Sequence, residues 1–183
     1  MHIFITGNRQ VGKTTILNKI LNISKVKPFG FITKPFYDEN NLLKGFNLQY
    51  ISEFNTKKIE NDIIGYTDDG EKWFSCPEVF DNFANILIED FEKIQNSKDK
   101  HIIIMDELGF FENEAFNFQK IILKILTQKA IPVLGVVKNA DTHFLNTIKN
   151  HLNIELFNVD HNSRNEILDI LSNKMIKLTQ KTI

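Results

Sequence analysis

A glycine-rich loop between an apolar strand and a helix constrains the fold more than any other feature of this sequence. The loop reads GNRQVGKTT over residues 7–15, fits the pattern G-x-x-x-x-G-K-[ST], and follows the apolar run HIFIT at residues 2–6. In such a loop successive backbone N–H groups turn inward, and the glycines let the backbone approach phosphate oxygens closely. The N-terminus of the following helix adds partial positive charge behind the phosphates. The sequence therefore predicts a phosphate-binding loop, or P-loop, at this position.

The residues of this loop are the first candidates for nucleotide binding. We expect Lys13 to reach the β- and γ-phosphates and the hydroxyl of Thr14 to be a Mg²⁺ ligand. Arg9 has the reach to touch phosphate, although variable positions of such loops often face solvent. The predicted nucleotide contacts in the loop are Gly7, Asn8, Arg9, Gln10, Val11, Gly12, Lys13, Thr14 and Thr15.

Length and charge limit the classes of protein that remain. A chain of 183 residues predicts a single domain over 1–183, large enough to bury about 70% of its unfolded surface. The net charge of −1 gives no general basic field, so general nucleic-acid binding is not indicated. No apolar run approaches the length of a membrane span, and the first strand starts at residue 2, which leaves no space for a removable signal. We therefore expect a cytoplasmic protein, with no protein partner identified by the sequence.

Cysteine and histidine do not indicate a further site. Cys76 is the only cysteine, which excludes an intramolecular disulfide and fits a reducing compartment. Nothing in the sequence marks a group that would activate its thiol. The five histidines have no metal-ligand spacing and join no cysteine cluster, so no structural zinc is predicted.

Strand and helix patterns alternate along most of the chain. This alternation predicts an α/β fold of three layers, with a mostly parallel central sheet and helices on both faces. Further strands are predicted at 29–33, 102–105, 132–137 and 154–159, and helices at 14–22, from Pro77 to about 94, at 115–126, 142–150 and 166–178. Residues 34–70 differ, because a proline, turn residues at 38–41 and 68–70, and an alternating pattern at 46–51 predict a β-hairpin excursion.

Two acidic residues end the most apolar predicted strand. Asp106 and Glu107 directly follow IIIM at residues 102–105. Because ligands bind at the carboxyl ends of the strands in parallel sheets, we expect both carboxylates beside the P-loop. Asp106 is predicted as the Walker-B acid that holds Mg²⁺, and Glu107 as the group that deprotonates a water aimed at the γ-phosphate. The alternative is that the pair caps the next helix or is merely solvated.

Two other segments bear on nucleotide recognition. Residues 138–141 read KNAD, which resembles the guanine-reading signature N-K-x-D with its first two residues reversed, so GTP specificity is not predicted. Arg164, after the last predicted strand, is a candidate for contacting the phosphates or the base. A surface salt bridge of this residue is the competing interpretation.

Several of these segments together resemble one family. They are IFITGNRQVGKTT at 3–15, GFIT at 30–33 before a hairpin, WFSCPEVF at 73–80, IIIMDELGFFE at 102–112, VLGVVK at 133–138 and LFNVDHNSRNEIL at 156–168. The chain is similar to the P-loop nucleoside-triphosphatases related to the human cancer-related enzyme and its thermophilic bacterial and archaeal counterparts. Arg164 and Asn165 match the turn of the C-terminal signature of that family.

The resemblance implies a P-loop NTPase fold and Mg²⁺-dependent hydrolysis of ATP, GTP and other nucleoside triphosphates with broad base tolerance. It implies phosphate binding by Gly12, Lys13, Thr14 and Thr15, Mg²⁺ chemistry at Thr14 and Asp106, and water activation by Glu107. The catalytic residues expected are thus Lys13, Asp106 and Glu107. Members often carry DEIGKME where this chain has DELGFFE, and Pro-Gly where it has Arg9 and Gln10.

Two other functions fit the same motifs. In a P-loop kinase of a nucleotide or small metabolite, the excursion at 34–70 would hold the acceptor or act as a lid. In a nucleotide-dependent switch with negligible turnover, the adjacent Phe110 and Phe111 would contact a partner, although burial of both rings under the following helix is the simpler expectation.

Overall fold

The computed structural model describes residues 1–52 and 62–180. The strands in this part of the chain are β1 (His2–Thr6), β2 (Lys27–Tyr37), β3 (Leu43–Ile51), β4 (Ile63–Tyr66), β5 (Phe74–Ser75), β6 (His101–Leu108), β7 (Val133–Val137) and β8 (Ile154–Asn158). The helices are α1 (Lys13–Ser24), α2 (Pro77–Gln95), α3 (Phe116–Thr127), α4 (His143–Lys149) and α5 (Arg164–Gln180), with a short 3₁₀ turn at Phe111–Glu114.

The described strands form one sheet in the order β5-β4-β3-β2-β6-β7-β1-β8. Strands β2, β6, β7, β1 and β8 pair in parallel, whereas β2 with β3, β3 with β4 and β4 with β5 pair antiparallel. The predicted mostly parallel α/β sheet is therefore confirmed. The strand that carries Asp106 is separated from the P-loop strand by β7 alone, and since these three strands are parallel their carboxyl ends lie on the same side of the sheet.

Helices cover both faces of the sheet because successive side chains of a strand point to opposite sides. On β1, Phe4 packs in a core with α2, α3 and α4, whereas Ile3 and Ile5 pack in a second core with α1 and α5. The same alternation occurs on β6, where Ile103 and Ile104 belong to different cores. A run that is apolar at every position thus fills two cores, as expected for a buried parallel strand.

The excursion is a hairpin, but its first strand is the continuation of β2, whose pairing with β3 already starts at Gly30 and not at the predicted residue 34. Strand β2 continues through Pro35 to Tyr37 before turning at Asp38, whose backbone N–H donates to the carbonyl of Leu42. The side chain of Asp38 accepts from the backbone N–H of Asn40, so the predicted turn at 38–41 is confirmed. Residues 53–61 of the excursion lie outside the described residues.

Within residues 1–52 and 62–180 no helix combines the length and the apolar character that a bilayer span requires. Cys76 precedes α2 and is partly buried, and burial raises the pKa of its thiol.

His2 ties the start of β1 to the α3–β7 connection. Its Nε2 lies 3.1 Å from the carbonyl oxygen of Leu126 and 2.9 Å from that of Gln128, so this nitrogen carries the hydrogen and donates. Its Nδ1 accepts from the backbone N–H of Val133 at 3.1 Å. The side chain is fully buried, and burial lowers the pKa of His2 to about 4. Protonation at Nδ1 would remove the acceptor that Val133 uses.

We expect His2 to make stability depend on pH between about 4 and 6.5. In the unfolded chain the imidazole binds a proton below its ordinary pKa of about 6.5, whereas in the folded protein it does not until about pH 4. Lowering the pH through this window therefore favours unfolding, by up to about 3 kcal/mol at 1.36 kcal/mol per pKa unit. In His2→Asn, the free energy of unfolding measured with denaturant across pH 4–7 should no longer show this part of its pH dependence. The matched variant His161→Asn, at an exposed position, should retain it.

Candidate nucleotide-binding site

The P-loop joins the buried strand β1 to α1 and is shaped by two glycines with positive φ. Gly7 has φ 144°, and a Cβ there would lie 2.2 Å from the carbonyl oxygen of Val159, so a side chain at this position would collide with the backbone. At Gly12, φ is 91° and a Cβ would meet Nε of Arg164 at 2.8 Å. The guanidinium of Arg164 thus packs directly against the P-loop.

Lys13 is the first residue of α1 and its side chain is 9% exposed. The ammonium donates to the carbonyl oxygens of Gly7 at 2.9 Å and Asn8 at 2.7 Å, so it lies across the mouth of the loop. Burial lowers the pKa of Lys13, while the carboxylates of Glu107 and Asp106 oppose that effect. The negative charges of both acids therefore stabilise the protonated form of the P-loop lysine.

Asp106 and Glu107 lie near the carboxyl end of β6, as their position after an apolar run predicts. The carboxyl of Asp106 is 2% exposed and accepts a hydrogen bond from the hydroxyl of Thr14. Burial and the neighbouring Glu107 raise the pKa of Asp106 to about 6, against the opposing effects of Thr14 and Lys13. The structure therefore brings together the two predicted metal ligands, Thr14 of the P-loop and Asp106 of β6.

Glu107 faces the cleft and contacts two other strands. Its backbone N–H donates to Oγ1 of Thr33 on β2 at 3.2 Å, and its Oε1 lies 3.2 Å from Nζ of Lys138, which follows β7. Glu107 therefore contacts groups on or directly after two neighbouring strands, β2 and β7, and is not solvated alone. Since β6 is followed by the turn at 111–114, the helix-capping alternative does not describe it.

One cleft of about 740 Å³ is lined by the P-loop and Glu107. Its lining residues are Gly7, Asn8, Arg9, Gln10, Gly12, Lys13, Thr14, Thr15, Pro35, Tyr37, Leu43, Phe46, Glu107, Phe110, Lys138, Asn139 and Ala140. Asp106 and Thr33 line a smaller neighbouring cavity of about 190 Å³, which shares Thr14, Glu107 and Lys138 with the cleft. Val11 differs from the other predicted loop contacts, because its side chain is 3% exposed and packs in the α1/α5 core. Only the backbone of Val11 is therefore available to a phosphate. Gln10 has φ 62° and so occupies a left-handed conformation.

Three residues beside the acids were not singled out from the sequence. They are Thr33, Lys138 and Glu112. Oγ1 of Thr33 accepts from the backbone N–H of Glu107, and Lys138 forms an ion pair with the carboxylate of Glu107. The carboxyl of Glu112 is 1% exposed and accepts from the N–H of Gly109 at 2.9 Å. Burial raises the pKa of Glu112 to about 7. Lys138 directly follows β7, and Thr33 is next to Ile32, where the parallel pairing of β2 with β6 ends. A position at the carboxyl end of parallel pairing is the signal that could have found them.

The segment 138–141 borders the cleft through Lys138, Asn139 and Ala140. Lys138 points to Glu107, and the carboxylate of Asp141 accepts from the side-chain amide of Asn146 at 2.7 Å. Phe111 is buried at 4% exposure and Phe110 is half-buried, with their ring centroids 4.4 Å apart. The expected burial of the two rings is thus complete for Phe111 and partial for Phe110.

Comparison with known proteins finds relatives that match nearly the whole chain. A family model described as NTPase matches residues 2–172. The nucleoside-triphosphatase THEP1 of Methanocaldococcus jannaschii is 31% identical over 180 residues, which cover 96% of this chain and 98% of that protein. The THEP1 protein of Thermotoga sp. strain RQ2 is 27% identical over 173 residues, 94% of each chain.

Two solved structures share the fold. The crystal structure of THEP1 from Aquifex aeolicus matches with a TM-score of 0.73 at 22% identity, covering 96% of this chain and 99% of that one. The solution structure of a human cancer-related nucleoside triphosphatase matches with a TM-score of 0.70 at 19% identity, covering 96% and 97%. Since the family model spans most of the sequence and the folds agree, this chain belongs to the NTPase family.

Proposed function

We propose that this chain, as a single domain, is a Mg²⁺-dependent nucleoside-triphosphatase that hydrolyses ATP, GTP and other nucleoside triphosphates to the diphosphate and phosphate. The observation that carries the proposal is the hydrogen bond between Thr14 and Asp106 beside Lys13, with Glu107 facing the same cleft. A phosphate-binding cation, two oxygen ligands and a further carboxylate are the groups that phosphoryl transfer to water requires. Relatives named nucleoside-triphosphatase support the same activity.

The donor set of the cleft fits Mg²⁺. A hydroxyl and a carboxylate are hard oxygen ligands, and Mg²⁺ is usually bound by one or two such protein groups together with substrate phosphates and water. A site of this kind is completed by phosphate oxygens of the substrate and by water. Thr14 and Asp106 would hold the ion, which when bound neutralises charge on the β- and γ-phosphate oxygens.

Lys13 and Glu107 are proposed to act on the reacting groups. The ammonium of Lys13, now 2.7 Å from the carbonyl oxygen of Asn8, would exchange this partner for phosphate oxygens. Glu107 would accept a proton from a water whose oxygen bonds to the γ-phosphorus, while the bond from that phosphorus to the β-phosphate oxygen breaks. The products are the nucleoside diphosphate and phosphate. Arg164, packed on Gly12, is proposed to contact the phosphates.

Broad base tolerance is part of this proposal, and the partners of Asp141 and Lys138 support it. Asp141 accepts from Asn146, and Lys138 is paired with Glu107, so neither is arranged to read guanine. Binding energy would then come chiefly from the phosphates, which all nucleoside triphosphates share.

We expect purified protein to release phosphate from ATP, GTP, CTP and UTP under single-turnover conditions with Mg²⁺. Chelation by EDTA should abolish release, because a neutral hydroxyl and a carboxylate cannot neutralise the negative charge of the phosphates without the metal ion. Excess Mg²⁺ should restore release. Release no faster than that of Lys13→Ala across the whole panel would overturn the activity. Activity that persists in EDTA would overturn the metal requirement, and consumption of a single nucleotide would overturn the base tolerance.

A second candidate function, transfer of the phosphoryl group to a small molecule, is favoured by the shape of the cleft. The cleft continues past Glu107 to a wall of the hairpin formed by Pro35, Tyr37, Leu43 and Phe46. An acceptor held there would lie beyond the γ-phosphate. Nucleotide consumption that rises only on addition of one metabolite, with that metabolite phosphorylated, would establish this function. Equal rates with and without a metabolite panel would favour hydrolysis.

A further inference from the structure

Lys138 lies just after β7, beside the carboxylate of Glu107. Its backbone N–H donates to the carbonyl of Leu108 at 2.8 Å, which fixes the start of the side chain beside the end of β6. From there the side chain runs over Gly109, where a Cβ would lie 3.0 Å from Cδ and 3.3 Å from Nζ of Lys138. The glycine thus leaves the space through which the ammonium reaches Glu107.

Three phenylalanine rings surround the ammonium of Lys138. Nζ lies 4.8 Å from the ring centroid of Phe110 and 5.5 Å from those of Phe46 and Phe111. A cation within about 6 Å of an aromatic ring is attracted by its π electrons, and more strongly where water is excluded. The rings come from β3 and from the turn after β6, so they limit the positions open to the ammonium from two sides.

The fourth neighbour of the ammonium is the carboxylate of Glu107, 3.2 Å away. The two side chains are only 22% and 25% exposed, so solvent screens this pair less than a surface salt bridge. Since the rings fix Lys138, they also fix where an ion pair with Glu107 can form. Without this ion pair, the side chain of Glu107 near the end of β6 would sample several rotamers.

We infer that Lys138 is a positioning residue that holds the carboxylate of Glu107 toward the cleft, in the orientation that the hydrolytic water requires. The inference rests on the proposed function for the role of Glu107. It explains why the two phenylalanines follow the acids, since their rings confine the lysine. Positioning of a general base matters because the base must lie within hydrogen-bond reach of the proton it removes.

A positioning role differs measurably from direct binding of phosphate by Lys138. Lys138→Met retains the length and apolar packing of the side chain but removes the charge. We expect it to lower kcat about 10- to 100-fold, with the Kd for Mg²⁺–nucleotide changed less than threefold and Lys138→Arg restoring part of kcat. Lys120→Met, at an exposed position of α3, is the matched control and should match wild type.

The decisive measurement is a double-mutant cycle with Glu107→Gln. If Lys138 acts through Glu107, Lys138→Met should slow Glu107→Gln by less than about threefold, although it slows wild type by 10-fold or more. An equal loss in both backgrounds would overturn the inference, as would a Kd that rises more than tenfold while kcat is unchanged. Unchanged kcat in Lys138→Met would overturn it as well.

A second readout separates this inference from the proposed function. In protein labelled with ¹³C-lysine, ring currents should shift the Hε resonance of Lys138 upfield of the other lysines, as assigned by its loss in Lys138→Met. Glu107→Gln should move that resonance, whereas Glu114→Gln, at an exposed position, should not. If the Lys138 resonance does not move in Glu107→Gln, the ion pair between Lys138 and Glu107 is overturned even where hydrolysis is observed. Conversely, a protein that does not hydrolyse nucleotides can still show the ion pair.

Discussion

Replacement of Glu107 by glutamine is expected to slow single-turnover hydrolysis by about 10²–10⁴-fold, the range that loss of a general base produces. Glutamine preserves the size of the side chain and can still accept a hydrogen bond, but it does not take a proton from water. The backbone N–H that donates to Thr33 is untouched by the change, so the strand end should keep its position. The nucleotide should therefore bind about as tightly as to wild type.

The measurement is phosphate release from a stoichiometric complex with Mg²⁺–ATP, combined with Kd from a fluorescent nucleotide. Glu114→Gln, in the exposed part of the turn after β6, removes one acid close in sequence and should leave both values unchanged. If Glu107→Gln hydrolyses within a few-fold of wild type, another group activates the water and the assignment of Glu107 is wrong. If binding is lost together with hydrolysis, the residue supports the phosphate site and not the chemical step.

The sequence predicts the features of this fold that depend on neighbours along the chain. The P-loop spacing locates the turn from β1 into α1, and an unbroken apolar run identifies β6 as a strand covered on both faces. Because the carboxyl ends of parallel strands share one edge, Asp106 could be expected near Thr14 without coordinates. The contact between their side chains bears out that reasoning.

Contacts between distant segments could not be predicted in the same way. Lys138 meets Glu107, Phe46 and Phe110 only because β7, β6 and the hairpin converge, and nothing in the local sequence of any of them specifies the others. The resemblance of residues 138–141 to a guanine-reading motif even directs attention to the base and away from this cluster. Side-chain direction, which decides the role of such a lysine, is set by tertiary packing.

The hairpin shows the same limit for backbone structure. Proline usually discourages a strand interior because it cannot donate a hydrogen bond, so Pro35 favoured an end of the strand near residue 33. In the structure β2 continues to Tyr37, and Pro35 pairs with Phe46 of β3. Because β2 continues, Pro35 and Tyr37 line the cleft beside the P-loop.

Lys13→Ala is expected to lower kcat by a factor on the order of 10²–10³, because one phosphate donor is lost, and to weaken nucleotide binding in addition. The ammonium bridges the carbonyls of Gly7 and Asn8 across the mouth of the P-loop at 2.9 and 2.7 Å. Its removal therefore takes away both the phosphate donor and the hydrogen bonds that hold the loop. Alanine also leaves the negative charge of Asp106 and Glu107 without its nearest loop cation, which disfavours a triphosphate at the same place.

Arginine at position 13 should not rescue the activity, although its charge is the same. The lysine side chain is only 9% exposed and ends between two carbonyl oxygens, so a planar guanidinium, which is larger and needs a fork of acceptors, does not fit that space. Lys19→Ala, on the exposed side of α1, controls for the loss of one positive charge from the helix and should keep kcat and Kd. Full activity in Lys13→Arg would show that charge alone is required, and the geometry of the loop would then not explain the choice of lysine.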